Sequence, residues 1–564
     1  MKNIKAKKLL KTTKKYFLDF CHFFKNKATI IAIVYWGFIN IIIGQNYFNK
    51  LDAINLVARY RIYSLAFAIV LANLIYRIIL RAKRDKLYKK FITIALIYLA
   101  IMGVMLLLTW PGAYGFDDYQ ELMFAQNLKI FAQHHVITGF FMNIAIMLLP
   151  ITSAPIILQI IIASLVVAYL TTFLPTIIFG KKKTITILRI VTFAVFMLPP
   201  VVFYTLTGYR LGLYQYLEVF LLIFVYIHWR KKQKLNIPET ILLLFIAILV
   251  SAWRSECIYY LAAFPIILLI VRKQLLITLK QIAIYSLIII VSTVGISKYN
   301  THLIGNSIFT VGGFILPASG IVTGALDEGH PEDTVFFDKI FDISCAINRT
   351  KLQDPDDTFF PCRRTNYTEE DAKNFIKQTI VLAPKYLNNV ASFYADSFCD
   401  AVLTIKCTNK TQSKNTGYHG NIQAYWATSA FERREDGTTR FESNIKLPLN
   451  KPISRKIRAG TIKLLTGYKS AGEPYGFVHH AFYNIVTPTI ALLIAFIMAI
   501  RRKNLFLIFL IMLVAVRFVA VTLGGMVSFT MYYLPYYISS YILLIVSFDK
   551  IQKNTKKTKN GSRK

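Results

Sequence analysis

The chain has 564 residues, of which 55% are hydrophobic and only 17% charged, yet its formal net charge is +37. Soluble domains carry about 25% charged residues, so a soluble multidomain protein is excluded by the shortage of polar surface. A nucleic-acid partner is also set aside, because such a protein gathers its bases on one folded face and here they are scattered in short runs between apolar segments.

In chain order, residues 1–27 hold nine lysines and form a basic N-terminal segment. The first apolar run, 28–44, follows with no small-residue cleavage site and reads as a retained helix, not a signal peptide. Further runs at 62–80, 91–110, 155–179, 187–207, 211–229, 240–253, 257–271, 275–296, 481–500, 504–523 and 527–548 fit helices crossing a hydrocarbon core about 30 Å thick. The two at 240–253 and 257–271 are short. Basic runs at 81–90, 181–183, 230–234, 272–273, 501–503 and 549–564 punctuate them, the positive-inside signature of a polytopic membrane protein. The run 135–150 either spans or re-enters. Re-entry puts every basic run on one side, which gives about twelve crossings with both termini in the cytoplasm and the body in the plasma membrane.

That topology defines a transmembrane region 28–296 with an outer loop 111–154, an extracytoplasmic region 297–480, C-terminal helices 481–548 and a basic tail 549–564. Within the loop, 118–133 has Phe124, Leu128 and Phe131 at helical spacing and reads as an interfacial helix. Region 297–480 is nearly neutral, with 22 bases and 19 acids, and its turn signals and mixed patterns predict one α/β domain. The expected fold class is therefore an all-α polytopic membrane protein with one extracytoplasmic α/β domain. Cys345, Cys362, Cys399 and Cys407 all lie in that region; pairing neighbours closes the shortest loops, although spacing alone leaves the connectivity open.

Few ionisable groups remain outside the basic runs and the outer domain, and ionisable groups beside a membrane are functional candidates. Trp110-Pro-Gly-Ala-Tyr-Gly-Phe-Asp117-Asp118 breaks the third span and holds two adjacent carboxylates at the mouth of the bundle. One can face a cavity while the other supports it. A partly buried carboxylate suits a general base, one with a water shell suits Mg²⁺ or Mn²⁺, and the plainer reading is a solvated helix cap. His134-His135 can contact a phosphate or a sugar hydroxyl; adjacent imidazoles make a poor metal site, so no metal ligand set is assigned. Arg210 and Arg254 sit where the charge bias does not want bases and can clamp a phosphate, with Glu256 orienting either one or simply pairing with Arg254. Glu218 and Arg517 lie inside spans and read as a structural pair or a hydrophilic path. No P-loop, dinucleotide fingerprint or zinc-protease motif is present.

Taken together, Trp110-Pro-Gly, Asp117-Asp118, Gln120, His134-His135 and Arg254-Ser-Glu256 with Tyr259-Tyr260 resemble the GT-C superfamily of integral-membrane glycosyltransferases. The resemblance implies an inverting enzyme that takes a sugar from a polyprenyl-phosphate carrier. In that reading Asp117 or Asp118 is the base, Arg210, Arg254 and Glu256 manage the donor phosphate, and His134, His135 and Gln120 contact sugar or acceptor. The partners would be the lipid-linked sugar, membrane lipid and a glycan acceptor bound by the outer domain. The chain departs from many relatives in lacking a proline after the histidines and in placing its outer domain before the last spans, which leaves the acceptor unassigned. Rival readings are a lipid-linked oligosaccharide flippase, polymerase or ligase, and a non-enzymatic envelope receptor or structural protein.

Overall fold

The computed structural model describes residues 26–49, 51, 54–131, 135–179, 182–304, 309–345, 362–364, 366–398, 422–432, 438–468, 476–523 and 530–549. The apolar runs fold as helices: α1 (Lys27–Gly37, continued by a π-helical turn to Ile43), α2 (Ile54–Arg84), α3 (Lys86–Leu108), α4 (Phe116–Ala125), α5 (Val136–Leu148), α6 (Ala154–Ile178), α7 (Lys182–Val195), α8 (Pro199–Thr205), α9 (Arg210–Lys231), α10 (Ile237–Ala252), α11 (Tyr260–Leu275) and α12 (Leu279–Ile304). Polar side chains set where several of them start. Asp85 accepts from the Leu87 N–H at the head of α3, and Asn236 and Glu239 form a reciprocal capping box on α10.

Among the described residues, seven helices are long and apolar enough to cross a membrane, or eight if the bent pair α7–α8 is one span. This is fewer than the twelve segments expected. The run at 28–44 is interrupted by its π turn, and α10 and α11 have 16 residues each, about 24 Å of helix. Helix α5, over the ambiguous run, has 13 residues, about 20 Å, short of a full crossing.

Helix α9 organises the bundle. Every residue from Leu211 to His228 is buried, against α6, α8, α10, α11 and, near the C-terminus, α22 (Leu534–Ser547). A helix apolar all round is stable only when surrounded. The basic runs mark one end of the bundle: Lys86 starts α3, while Arg230 and Lys231 end α9 and Arg272 and Lys273 end α11. At the opposite ends the Trp110–Gly115 turn is fixed from three sides. The Ser153 hydroxyl donates to the Pro111 carbonyl, the Ala113 N–H to the Leu206 carbonyl and the Tyr114 hydroxyl to the Thr152 carbonyl.

The expected α/β domain is corrected. Among the described residues of 297–480 there is no strand, but isolated bridge positions such as Phe341 with Arg363. The segment folds as α13 (Ile315–Asp327), α14 (Glu369–Leu382), α15 (Leu387–Phe398), α16 (Ile422–Ser429), α17 (Arg440–Asn444) and α18 (Arg455–Thr466). Side-chain caps at Thr368, Thr439 and Ser454 start α14, α17 and α18, so local capping sets helices where the mixed patterns suggested strands as well. Nor is the core continuous. Val311, Ile315, Phe337, Phe375 and Tyr386 form one core, with a Cys345–Cys362 disulfide beside it. Ala424, Phe431, Phe441, Leu447, Ile462 and Leu465 instead belong to the core of the bundle. Cys399 and Cys407 lie outside the described residues. The chain then returns through Phe477–Arg501, which includes α19 (Phe477–Phe482) and α20 (Val486–Arg501), then α21 (Leu505–Leu523) and α22.

Residues 438–458 form a strap across the 111–154 loop. The Trp110 indole donates to the Leu449 carbonyl at 2.9 Å, Gln126 donates to the Asn444 carbonyl, and Arg458 donates to the Gly112 and Ala427 carbonyls. Gly112 has φ +132°, and a Cβ there would fall 2.1 Å from the Ile156 side chain. Gly112→Ala is therefore expected to destabilise the fold by about 1–3 kcal/mol through strain and overlap. Thermal unfolding of the purified protein measures it, and an unchanged midpoint would contradict the account of this turn.

Candidate functional site

Asp117 and Asp118 open α4 and, being adjacent on a helix, point apart. Asp118 is fully buried. Its two oxygens accept from the Gly115 N–H at 2.8 Å and the Gly208 N–H at 2.9 Å. One carboxylate thus caps α4 and ties it to the turn between α8 and α9. Burial pushes its carboxyl up, while the backbone donors oppose that and nearby Asp117 adds to it. A Cβ at Gly208 would lie 2.8 Å from the Tyr114 ring, so the close approach of Asp118 to this turn requires glycine.

Asp117 is half-buried and faces Arg210 and Tyr209, with which it interacts electrostatically. Glu121 lies one turn on, at the i+4 position, so it shares that face of α4. It is 2% exposed and within electrostatic reach of Arg210. Burial pushes its carboxyl up to about 8, with Arg210 opposing.

Arg210 is the first residue of α9. Its carbonyl accepts from the Trp253 indole N–H, which fixes the head of α9 against the α10–α11 turn. That turn carries Arg254 and Glu256, which form an ion pair. Arg254 also donates to the Tyr209 hydroxyl at 3.4 Å and lies 4.6 Å over the Tyr532 ring. Burial raises the Glu256 carboxyl, but Arg254, Arg517, a backbone hydrogen bond and Arg210 together outweigh it and hold it below the ordinary range. His135 caps α5, its Nδ1 accepting from the Ile137 N–H. Burial, then Arg210 and Arg254, push the imidazole down to about 4. It is therefore neutral at physiological pH and can act as a neutral hydrogen-bond donor.

Of the residues singled out from the sequence, Asp117, Arg210, Arg254, Glu256 and His135 converge on one site, and Asp118 supports it from behind. Gln120 lies half-buried on α4, and His134 lies outside the described residues. Glu121 and Tyr532 join without having been singled out. Glu121 carried a usable signal in its spacing from Asp117; Tyr532 carried none, being remote in sequence. Three carboxylates (Asp117, Glu121 and Glu256), two guanidiniums and a neutral imidazole can hold an anion and accept a proton beside it. Among the described residues, no three His, Cys, Asp or Glu side chains gather as a metal would need, and the oxygens of Asp118 are already committed to backbone donors. No step is therefore assigned to Mg²⁺ or Mn²⁺.

Behind the site, Glu218 of α9 pairs with Arg517 of α21 at 3.2 Å, both fully buried. The Tyr260 hydroxyl donates to Glu218, and Arg517 donates to the Tyr214 hydroxyl and Cys257 sulfur. These contacts match a structural pair, and they pin the residues that follow Glu256. No family model, no curated protein and no solved structure matches the chain.

Two outcomes are expected. Arg517→Met alone should cost about 3–5 kcal/mol by stranding Glu218, while Arg517→Met with Glu218→Gln recovers much of it, as a double-mutant cycle would show. The second concerns pH. His135 is depressed from 6.5 to about 4, so its contribution to stability is complete above pH 6.5 and is lost as pH falls towards 4. Glu121 is raised from 4.5 to about 8, so its contribution is present below pH 4.5 and is lost as pH rises to 8. Between pH 6.5 and 8 only the second effect acts, and Glu121→Gln should make the fall in stability shallower, as denaturation at stepped pH values would reveal.

Proposed function

We propose that the protein is an inverting membrane glycosyltransferase that moves a sugar from a polyprenyl-phosphate carrier to a glycan or other acceptor. The observation that carries this reading is the meeting of Asp117 with Arg210 and Arg254 at the bundle end opposite the basic runs. It is supported by the resemblance of the same motifs to GT-C enzymes. Arg210 and Arg254 neutralise the donor phosphate, and Glu256 keeps Arg254 in place. Asp117 accepts the proton of the acceptor hydroxyl as its oxygen bonds to the anomeric carbon. The bond from that carbon to the phosphate oxygen breaks, and the polyprenyl phosphate leaves with the electron pair. Its negative charge is already countered, so the work is positioning and charge stabilisation. Neutral His135, with His134 and Gln120, contacts the sugar or acceptor. Asp118 acts as a positioning residue.

The topology that goes with this reading has about twelve crossings, the shorter α1, α10, α11 and α22 included. Both termini are cytoplasmic in the plasma membrane, the site faces outward, and 297–480 presents the acceptor. Envelope glycan analysis with and without the gene, followed by transfer assays in lipid with a polyprenyl-phosphate sugar, tests it. Asp117→Asn should lower kcat by about 10²–10⁴, and Arg254→Ala should chiefly raise KM for the donor. Full activity of the Asp117→Asn protein, or no change in glycans, would sink the proposal.

A further inference from the structure

The strap and α18 hold an unbalanced charge. Residues 443–472 contain seven bases, Lys446, Lys451, Arg455, Lys456, Arg458, Lys463 and Lys469, and no acid. The described part of this run, 443–468, lies at the bundle end away from the other basic runs, where the positive-inside bias supplies no reason for it. Two of the seven are absorbed internally. Arg455 pairs with Glu442, and Arg458 is buried on backbone carbonyls. Lys446, Lys451, Lys456 and Lys463 are exposed, the last three along the strap's end and α18.

The same stretch exposes apolar side chains. Leu449, Ile453, Ile457 and Leu464 are each more than half exposed, and Phe477, at the start of the next span, is 80% exposed. The opposite face of α18, with Ile462 and Leu465, packs against α8 and reaches the end of α3. Helix α18 is thus apolar on two faces, which a helix bounded by water on one side has no reason to be. Its height is fixed by contacts. The Leu449 carbonyl accepts a hydrogen bond from the indole N–H of Trp110 at the end of α3, and Arg458 holds Gly112 just beyond. The exposed apolar row therefore sits level with the ends of the spans, where indoles and lysines favour the boundary between headgroups and acyl chains.

We propose that Leu449–Leu464 lies in the membrane interface, with Ile453, Ile457 and Leu464 against acyl chains and Lys451, Lys456 and Lys463 holding the phosphates of anionic phospholipids. Such a surface draws on buried apolar area and on attraction of lysines to anionic headgroups together. It fixes the strap, and through Trp110 and Gly112 the turn that leads to Asp117, relative to the bilayer. The inference rests on the chain spanning a membrane and not on glycosyl transfer, so the two stand or fall separately.

The test uses the full chain in nanodiscs. Ile457→Cys and Leu464→Cys are labelled with an NBD fluorophore in a Cys21→Ser, Cys399→Ser, Cys407→Ser background. Cys257 is buried and Cys345 and Cys362 are bonded to each other. Lys373→Cys on exposed α14 serves as the water-facing control. Nitroxide lipids should quench the label at 457 and 464 at least twofold and leave the label at 373 unchanged. Native mass spectrometry should show at least fivefold less retained phosphatidylglycerol for Lys451→Gln, Lys456→Gln, Lys463→Gln combined, at an unchanged unfolding temperature. Unquenched label at both positions overturns the proposal, whether the face then proves open to water or crosslinks to a second copy through 457. Retention of phosphatidylglycerol undiminished in the triple variant overturns it equally.

Discussion

The geometry at the span ends depends on one carboxylate. Asp118 accepts a hydrogen bond from the Gly115 N–H with one oxygen and from the Gly208 N–H with the other. The first contact starts α4, and the second brings the head of α9 against it. A carboxylate that is buried needs such donors to offset the loss of water, and here the donors belong to two elements about 90 residues apart in sequence. With that joint made, Asp117 and Glu121 face Arg210. Without it, α4 has neither its cap nor its neighbour.

A second layer holds the other half of the site. Glu218 and Arg517 are costly groups inside an apolar bundle, and their pairing alone does not make the bundle more stable than hydrophobic side chains would. What the pair adds is placement. Through Cys257 and Tyr260 it reaches the segment just after Arg254 and Glu256. Trp253 ties the same turn to Arg210 from the other direction. The two arginines are thus held through shared parts, α9 and the Trp253 turn.

Much of this was legible in the sequence because charge is scarce in it. Once the basic runs are set aside, the few remaining ionisable groups must be paired, solvated or functional, and Asp117, Arg210, Arg254, Glu256 and His135 were all in that remainder. The different duties of Asp117 and Asp118 were legible only as a division of labour, since which one turns inward depends on Gly208. Glu121 was hidden because the amphipathic pattern of its segment directs attention to the phenylalanines. The strap was not legible at all: Leu449 and Trp110 are 339 residues apart, and no local pattern announces a contact of that range. The expected α/β domain failed for a related reason. Residues 422–468 have the composition of a globular segment, yet Ala424, Phe431, Phe441, Leu447, Ile462 and Leu465 are buried in the core of the bundle and not in a core of their own.

Helix α9 has one further property. It carries Arg210 at its head, and at its foot Arg230 is clamped to Asp549 at 2.7 Å, with the Tyr226 hydroxyl on the same carboxylate. Its 22 residues make a helix about 33 Å long, buried along nearly all of its length. Arg210 at one face of the bundle and the Arg230–Asp549 pair at the other are therefore spaced by a single element.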